Sequence, residues 1–278
     1  LLAAGAISAP ALLELYLDRI ARLDRELRSF RIVMTEDARR EAAAAQQRLD
    51  AGERLPLLGV PVAIMDDSDV AGEFTCYGSS AYDLEATADS EVVHRLRQAG
   101  AVILGKTSVP EMMLWPFTET VSFGATHNPW DVTYTPGGSS GGSGAAVAAG
   151  LAPLALGSDG AGSIRIPASW CGLYGLKPQR GRVPIAAGED PWNGLSVNGP
   201  LSRTVEDAAL FLDVTHDGQA PRGGFVKAAA REPGRLRIAF STKLPPTMIA
   251  RLGRPQQRAL DGMETLLRDL GHEVLWHD

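Results

Sequence analysis

Two serines, Ser139 and Ser163, stand 24 positions apart in stretches unusually rich in glycine. The first stretch reads Thr135-Pro-Gly-Gly-Ser139-Ser140-Gly-Gly-Ser143-Gly144. The second reads Gly157-Ser-Asp159-Gly160-Ala161-Gly162-Ser163-Ile-Arg165-Ile-Pro167. Glycines concentrated in this way let backbone N–H groups converge into a nest, which binds a phosphate or the oxyanion of an acyl-transfer intermediate. A phosphate loop needs Lys followed by Ser or Thr after its second glycine, and neither stretch has that pair. The elbow pattern G-x-S-x-G is met by Gly137-Gly-Ser139-Ser-Gly141, but a Gly/Ser run matches it by chance, and only His216, His272 and His277 follow to serve as its base. A third possibility is a serine nucleophile served by a second serine and a lysine instead of a histidine.

The segments around these loops must position them. Ser8 is a natural N-cap for a helix whose Leu12, Leu13, Leu15, Tyr16, Ile20 and Leu23 recur at helical spacing. A second, alanine-rich helix is predicted over 36–49. Gly59 to Met65 reads as a buried strand. A helix starting at Asp89 or Ser90 and ending before Gly100 leads into a strand at 101–104. Late in the chain, strands at 236–240 and 271–276 flank a helix at 255–270. Alternating helices and short apolar strands predict an α/β fold.

Composition fits that class. The chain has 278 residues, a net charge of −6, 45% hydrophobic and 22% charged residues, which suits a folded core and excludes disorder. An acidic chain without Lys/Arg blocks is a poor partner for nucleic acid. Two cysteines, Cys76 and Cys171, cannot build a disulfide framework or a tetrahedral zinc site. The uncharged run between Asp131 and Asp159 is too rich in Gly, Ser and Pro for a membrane span. A cytoplasmic enzyme is the expectation, with self-association left open.

The stretch from Thr135 to Arg182 resembles the signature of the amidase signature family, whose members hydrolyse amide bonds. The likeness continues in Cys171-Gly-Leu-Tyr-Gly-Leu-Lys177-Pro178 and Gly181-Arg-Val-Pro184, and outward in Leu104-Gly-Lys106-Thr-Ser-Val-Pro-Glu111, Asn128-Pro-Trp-Asp131 and Gly199-Pro-Leu-Ser-Arg203. The resemblance implies a mixed central β-sheet flanked by helices, one large domain over residues 1–278, and further C-terminal residues beyond the strand that ends the chain. It implies Ser163 as nucleophile and Ser139 as the bridging serine behind a cis peptide from Gly138. The N–H groups of Gly160, Ala161, Gly162 and Ser163 would form the oxyanion hole, Ala161 replacing the family's usual glycine. Asp159 and Arg165 would pair to hold the nucleophile loop. The ligand would be a small-molecule amide, with no metal or organic cofactor.

One position departs from the pattern. The family's strand ends in a lysine that serves as base, and here the sequence is Ile64-Met65-Asp66-Asp67. Methionine matches lysine in length and apolar stem but has no titratable nitrogen, so this copy is expected to be inactive or strongly impaired. A substrate-trapping substitution would look like this, and so would a chain that has drifted to binding amides without turnover. The A subunit of a glutamyl-tRNA amidotransferase is a further alternative within the resemblance. Lys106 and Lys177 read as structural. Asp66 and Asp67 could supply a carboxylate instead, but neighbours on a strand face opposite ways, so neither is expected to replace the lysine. For Trp115, Phe117, Trp130 and Trp192, core packing is expected over a place in an acyl pocket.

Overall fold

The computed structural model describes residues 1–82, 85–185, 192–243 and 252–277. They fall into two compact units, Leu1–Ala229 and Ala230–Asp278.

In chain order the larger unit contains α1 (Ala9–Leu27), β1 (Phe30–Val33), α2 (Thr35–Asp50), β2 (Pro61–Met65), α3 (Glu91–Gln98), β3 (Val102–Thr107), a hairpin of β4 (Glu119–Thr120) and β5 (Gly124–Ala125), α4 (Gly141–Ala148), β6 (Leu154–Asp159), α5 (Arg165–Cys171), β7 (Tyr174–Gly175), β8 (Val197–Ser202), α6 (Val205–Thr215) and α7 (Gly224–Ala229). Ser8 caps α1, its hydroxyl accepting the Ala11 N–H at 3.2 Å, and Leu13, Leu17, Ile20 and Leu27 form the buried face. Ser90 stands at the N-cap of α3, yet its hydroxyl donates to the Asp69 carbonyl at 3.2 Å and so ties the helix start to the loop after β2.

Six strands form one sheet in the order β1-β3-β2-β6-β8-β7. The centre, β3-β2-β6, is parallel, and β1, β8 and β7 pair antiparallel to their neighbours. The sheet is therefore mixed, as expected. β2, β3 and β6 are buried at every position, which explains their continuous apolar runs. One apolar cluster joins α1 and α2 to the sheet, and another packs α3 and α6 against it.

The expected core role of four aromatics is corrected. Trp115 is 55% exposed and Trp130 74%, and Phe117 and Trp192 are partly exposed, at 38% and 41%. Trp115 and Phe117 stack on each other with centroids 5.6 Å apart. Trp130 keeps its ring nitrogen satisfied by donating to the Cys171 carbonyl at 2.7 Å.

The smaller unit pairs β9 (Arg237–Phe240) parallel with β10 (Glu273–Trp276), with α8 (Arg254–Asp269) between them in sequence. Among the described residues no helix is long and apolar enough to cross a membrane.

Candidate functional site

The site gathers at the carboxyl ends of the parallel strands β2 and β6, where ligands of α/β sheets commonly bind. These strands are hydrogen-bonded neighbours, with Val62 opposite Leu154 and Ala63 opposite Ala155. Their ends deliver Met65 on one side and Ser158 and Asp159 on the other.

The Gly/Ser loop enters the same corner through α4. Small residues are required here because the helix start is buried against backbone: a Cβ on Gly142 would lie 2.4 Å from the Ser108 nitrogen and 2.5 Å from the Ser29 carbonyl oxygen. The peptide between Gly138 and Ser139 is cis. A Cβ on Gly138 would meet the Phe117 nitrogen and the Trp115 carbonyl oxygen at 2.8 Å. Ser139 is 1% exposed, and its hydroxyl has no hydrogen-bond partner among the described residues. The two serine loops are joined by the Ser140 N–H, which donates to the Ser163 carbonyl at 3.1 Å.

Ser163 lies in the turn between β6 and α5. Asp159 organises that turn. Its carboxylate receives the N–H groups of Gly162 at 2.8 Å, Ile164 at 3.2 Å and Arg165 at 3.3 Å. The Arg165 guanidinium adds a two-pronged contact at 2.9 Å on each oxygen. Burial pushes the Asp159 carboxyl upward, but the hydrogen bonds from Arg165, Gly162 and Ile164 outweigh it and hold the group below the usual carboxylate range. Gly162 adopts φ +129°, a conformation that L side chains rarely take. Because the Gly162 N–H is committed to Asp159, it is withdrawn from the expected set of oxyanion donors. The amides of Gly160, Ala161 and Ser163 have no protein acceptor among the described residues.

Ser139, Ser158, Gly160 and Ser163 line one cavity together with Asp67 and Asp69. The side chain of Met65 is fully buried beside it. Its sulfur lies 3.1 Å from the Ser140 hydroxyl, 3.2 Å from the Ser158 N–H and 3.5 Å from the Ser158 hydroxyl. Of these neighbours the Ser158 N–H donates to the sulfur, whereas the Ser158 hydroxyl gives its one proton to Asp67 and the Ser140 hydroxyl lies equally close, at 3.1 Å, to the Ser158 carbonyl.

The two aspartates after Met65 part company. Asp66 is buried and meets Lys106 Nζ at 3.0 Å and Arg31 Nε at 2.7 Å. Lys106 is itself fully buried, with further contacts to Thr75 Oγ1 at 2.7 Å and the Phe74 carbonyl at 3.2 Å. Burial lowers its ammonium against the pull of Asp66. Asp67 instead turns to the cavity, where the Ser158 hydroxyl donates to one oxygen and the Ser68 hydroxyl to the other at 3.2 Å. Burial pushes its carboxyl up, against these hydrogen bonds. Sequence alternation did not anticipate this placement, because β2 ends at Met65 and the aspartates lie in the turn beyond it. Ser158 also went unrecognised; only the β2–β6 pairing brings it to Met65.

Lys177 donates to the Pro178 carbonyl at 3.0 Å, and Cys76 and Cys171 are buried free thiols. No group of three or more His, Cys, Asp or Glu among the described residues is placed to hold a metal ion.

Known proteins are similar to this chain in sequence and fold. The family model described as Amidase matches residues 11–276. The protein named as an amidase, AmiB2, of Mycobacterium tuberculosis is 63% identical over the whole chain, which covers 60% of that protein. The structure of 6-aminohexanoate cyclic dimer hydrolase complexed with substrate superposes with a TM-score of 0.89 at 36% identity, covering 99% of this chain and 58% of that one. A bacterial aryl acylamidase of the amidase signature family superposes at 0.88 and 30% identity, with 99% of this chain and 59% of that one covered. The chain thus spans about 60% of the length of the relatives it matches. On the match of the family model to all but the chain's ends, this chain belongs to the amidase signature family.

Proposed function

We propose that the site is built for hydrolysis of a small-molecule carboxylic amide through an acyl-enzyme on Ser163. The observation that carries this reading is the convergence of Ser163 and the unpartnered, buried hydroxyl of Ser139 on one cavity. A buried hydroxyl without a partner is costly, and a proton relay gives it one when substrate is bound.

In this reading the Ser163 oxygen attacks the amide carbonyl carbon while its proton passes to the Ser139 oxygen, whose own proton moves on to a base at position 65. The amides of Gly160, Ala161 and Ser163 receive the oxyanion. Collapse breaks the C–N bond, and the leaving nitrogen takes the relayed proton. Water then attacks the ester and releases the acid and the free serine.

The Ser158 N–H beside residue 65 suits the lone pair of a neutral amine. Methionine fills the volume and accepts weakly through sulfur, but it cannot hold a proton. The chain with Met65 therefore binds an amide and stalls before acylation. Losing a general base costs on the order of 10²–10⁴ in rate.

The test is hydrolysis of an anilide, a primary aliphatic amide and glutamine by this chain and by its Met65→Lys variant, with circular dichroism confirming that both are folded. Turnover that appears only with lysine, and disappears again on adding Ser163→Ala, supports the reading. Equal rates in both chains would overturn the assignment of position 65.

A further inference from the structure

The walls of the cavity differ from what a carboxylate-bearing substrate needs. Asp67 and Asp69 both line it, and no Lys or Arg does among the described residues. The nearest buried cations are already matched. Arg31 and Lys106 face Asp66 and Glu73, with Arg31 at 2.7 Å from Asp66 and 3.4 Å from Glu73 and Lys106 at 3.0 Å from Asp66. Two positive charges thus meet two negative ones behind the cavity wall, and the charge on Asp69 is left over.

Asp69 is built to present that charge. Its Oδ1 is fixed by the Thr75 hydroxyl at 2.6 Å, and Thr75 is itself held by Lys106. Its backbone carbonyl is held by Ser90. Its Oδ2 has no partner among the described residues. Asp67 is engaged on both oxygens by Ser158 and Ser68, so Asp69 is the carboxylate of the pair with an oxygen left for a ligand. Aromatic side chains complete the lining. Tyr77 borders the cavity, and the indole of Trp192 lies against Gly160, where a Cβ would come within 3.3 Å of the ring. A carboxylate, a free oxygen and aromatic rings are the surroundings in which an ammonium group is held.

We propose that Asp69 sets the specificity of this site for amides whose acyl chain carries a cationic amino group. The proposal rests on the reading of the cavity as an amide site but not on turnover. It can therefore be tested on the chain as it stands, with Met65 in place.

Calorimetry with two sets of primary amides reads it out. At the longer length the set is 6-aminohexanamide, hexanamide and adipic acid monoamide; at the shorter it is 4-aminobutanamide, butanamide and succinic acid monoamide. At one or both lengths the cationic member is expected to bind at least about tenfold more tightly than the neutral one, with the acid weakest. Raised salt and Asp69→Asn are each expected to narrow the cationic-to-neutral ratio. Equal affinities across both sets, preference for the acid at both lengths, a cationic-to-neutral ratio that Asp69→Asn leaves unchanged, or no binding of any amide would each overturn the proposal. Hydrolysis by the Met65→Lys variant is scored separately. Cation preference without turnover would sink the acyl-enzyme reading alone, and turnover without cation preference would sink only this one.

Discussion

The sulfur of Met65 receives the backbone N–H of Ser158 at 3.2 Å, across the junction of two parallel strands. The contact joins the residue that ends β2 to the residue before Asp159, and so couples position 65 to the turn that carries Ser163. It also fixes the electrostatics of that position. A fully buried tip facing an amide hydrogen disfavours a positive charge there.

A lysine introduced at position 65 should therefore titrate below its ordinary value of about 10.4. A general base works only when deprotonated, so kcat/KM of the Met65→Lys variant is expected to rise with pH through that lowered value and then level off. The gain over the Met65 chain should be on the order of 10²–10⁴ on the plateau. A pH–rate profile between pH 6 and 10 on the best amide checks this. A flat profile would argue that residue 65 takes no proton.

Much of this architecture was legible in the residues, and the parts that were not share a cause. The Ser8 cap, the apolar stripe of α1 and the buried runs of β2 and β3 are local patterns, and local patterns survive in sequence. The pairing of Asp159 with Arg165 followed from the family resemblance together with two opposite charges flanking one turn. Ser158 carries no such mark, since a serine beside a glycine in an apolar strand reads as filler until the strand's neighbour is known. Asp67 was hidden by a rule that ceased to apply one residue earlier, where the strand ended. The four aromatics were misread because aromatic residues are often buried, whereas the positions of Trp115 and Trp130 are set by loops that leave their rings exposed.

Ser139 offers a separation of stability from chemistry. Its hydroxyl is buried and unpartnered among the described residues, so Ser139→Ala removes an unsatisfied group without breaking a bond. Stability should hold within about 1 kcal/mol or rise slightly. In the Met65→Lys background the same substitution should lower kcat on the order of 10²-fold or more. Urea denaturation and initial rates on one preparation give both numbers. A large loss of stability would mean that the hydroxyl has a structural partner after all.

Lys106 is the lysine near the site that a search for a substitute base would turn to, and its surroundings argue against that role. It is fully buried and tied to Asp66, Thr75 and the Phe74 carbonyl. Lys106→Met strips Asp66 of one of its two cations. Because Arg31 stays at 2.7 Å, the cost should fall at the low end for a broken buried pair, about 3 kcal/mol. Chemical denaturation of the two chains measures it. A stable Lys106→Met protein would show that Arg31 alone neutralises Asp66.

Asp159 gives the turn around Ser163 a pH dependence of known sign. Its native pKa lies below the usual value of about 3.9. The unfolded chain therefore takes up a proton at a higher pH than the native protein does. The stabilisation from Asp159 is complete above about pH 4 and is lost as pH falls below that toward the lower native value. Asp159→Asn removes the charge that Arg165 and the three amides converge on, so it should destabilise the protein by roughly 2–3 kcal/mol at pH 7. The difference between the two chains should shrink on acidification, because the unfolded chain with Asp159 takes up a proton there and the Asn variant does not. Urea midpoints at pH 7 and pH 3 provide the comparison. A gap that stays constant would show that the turn depends on the shape of the side chain and not on its ionisation.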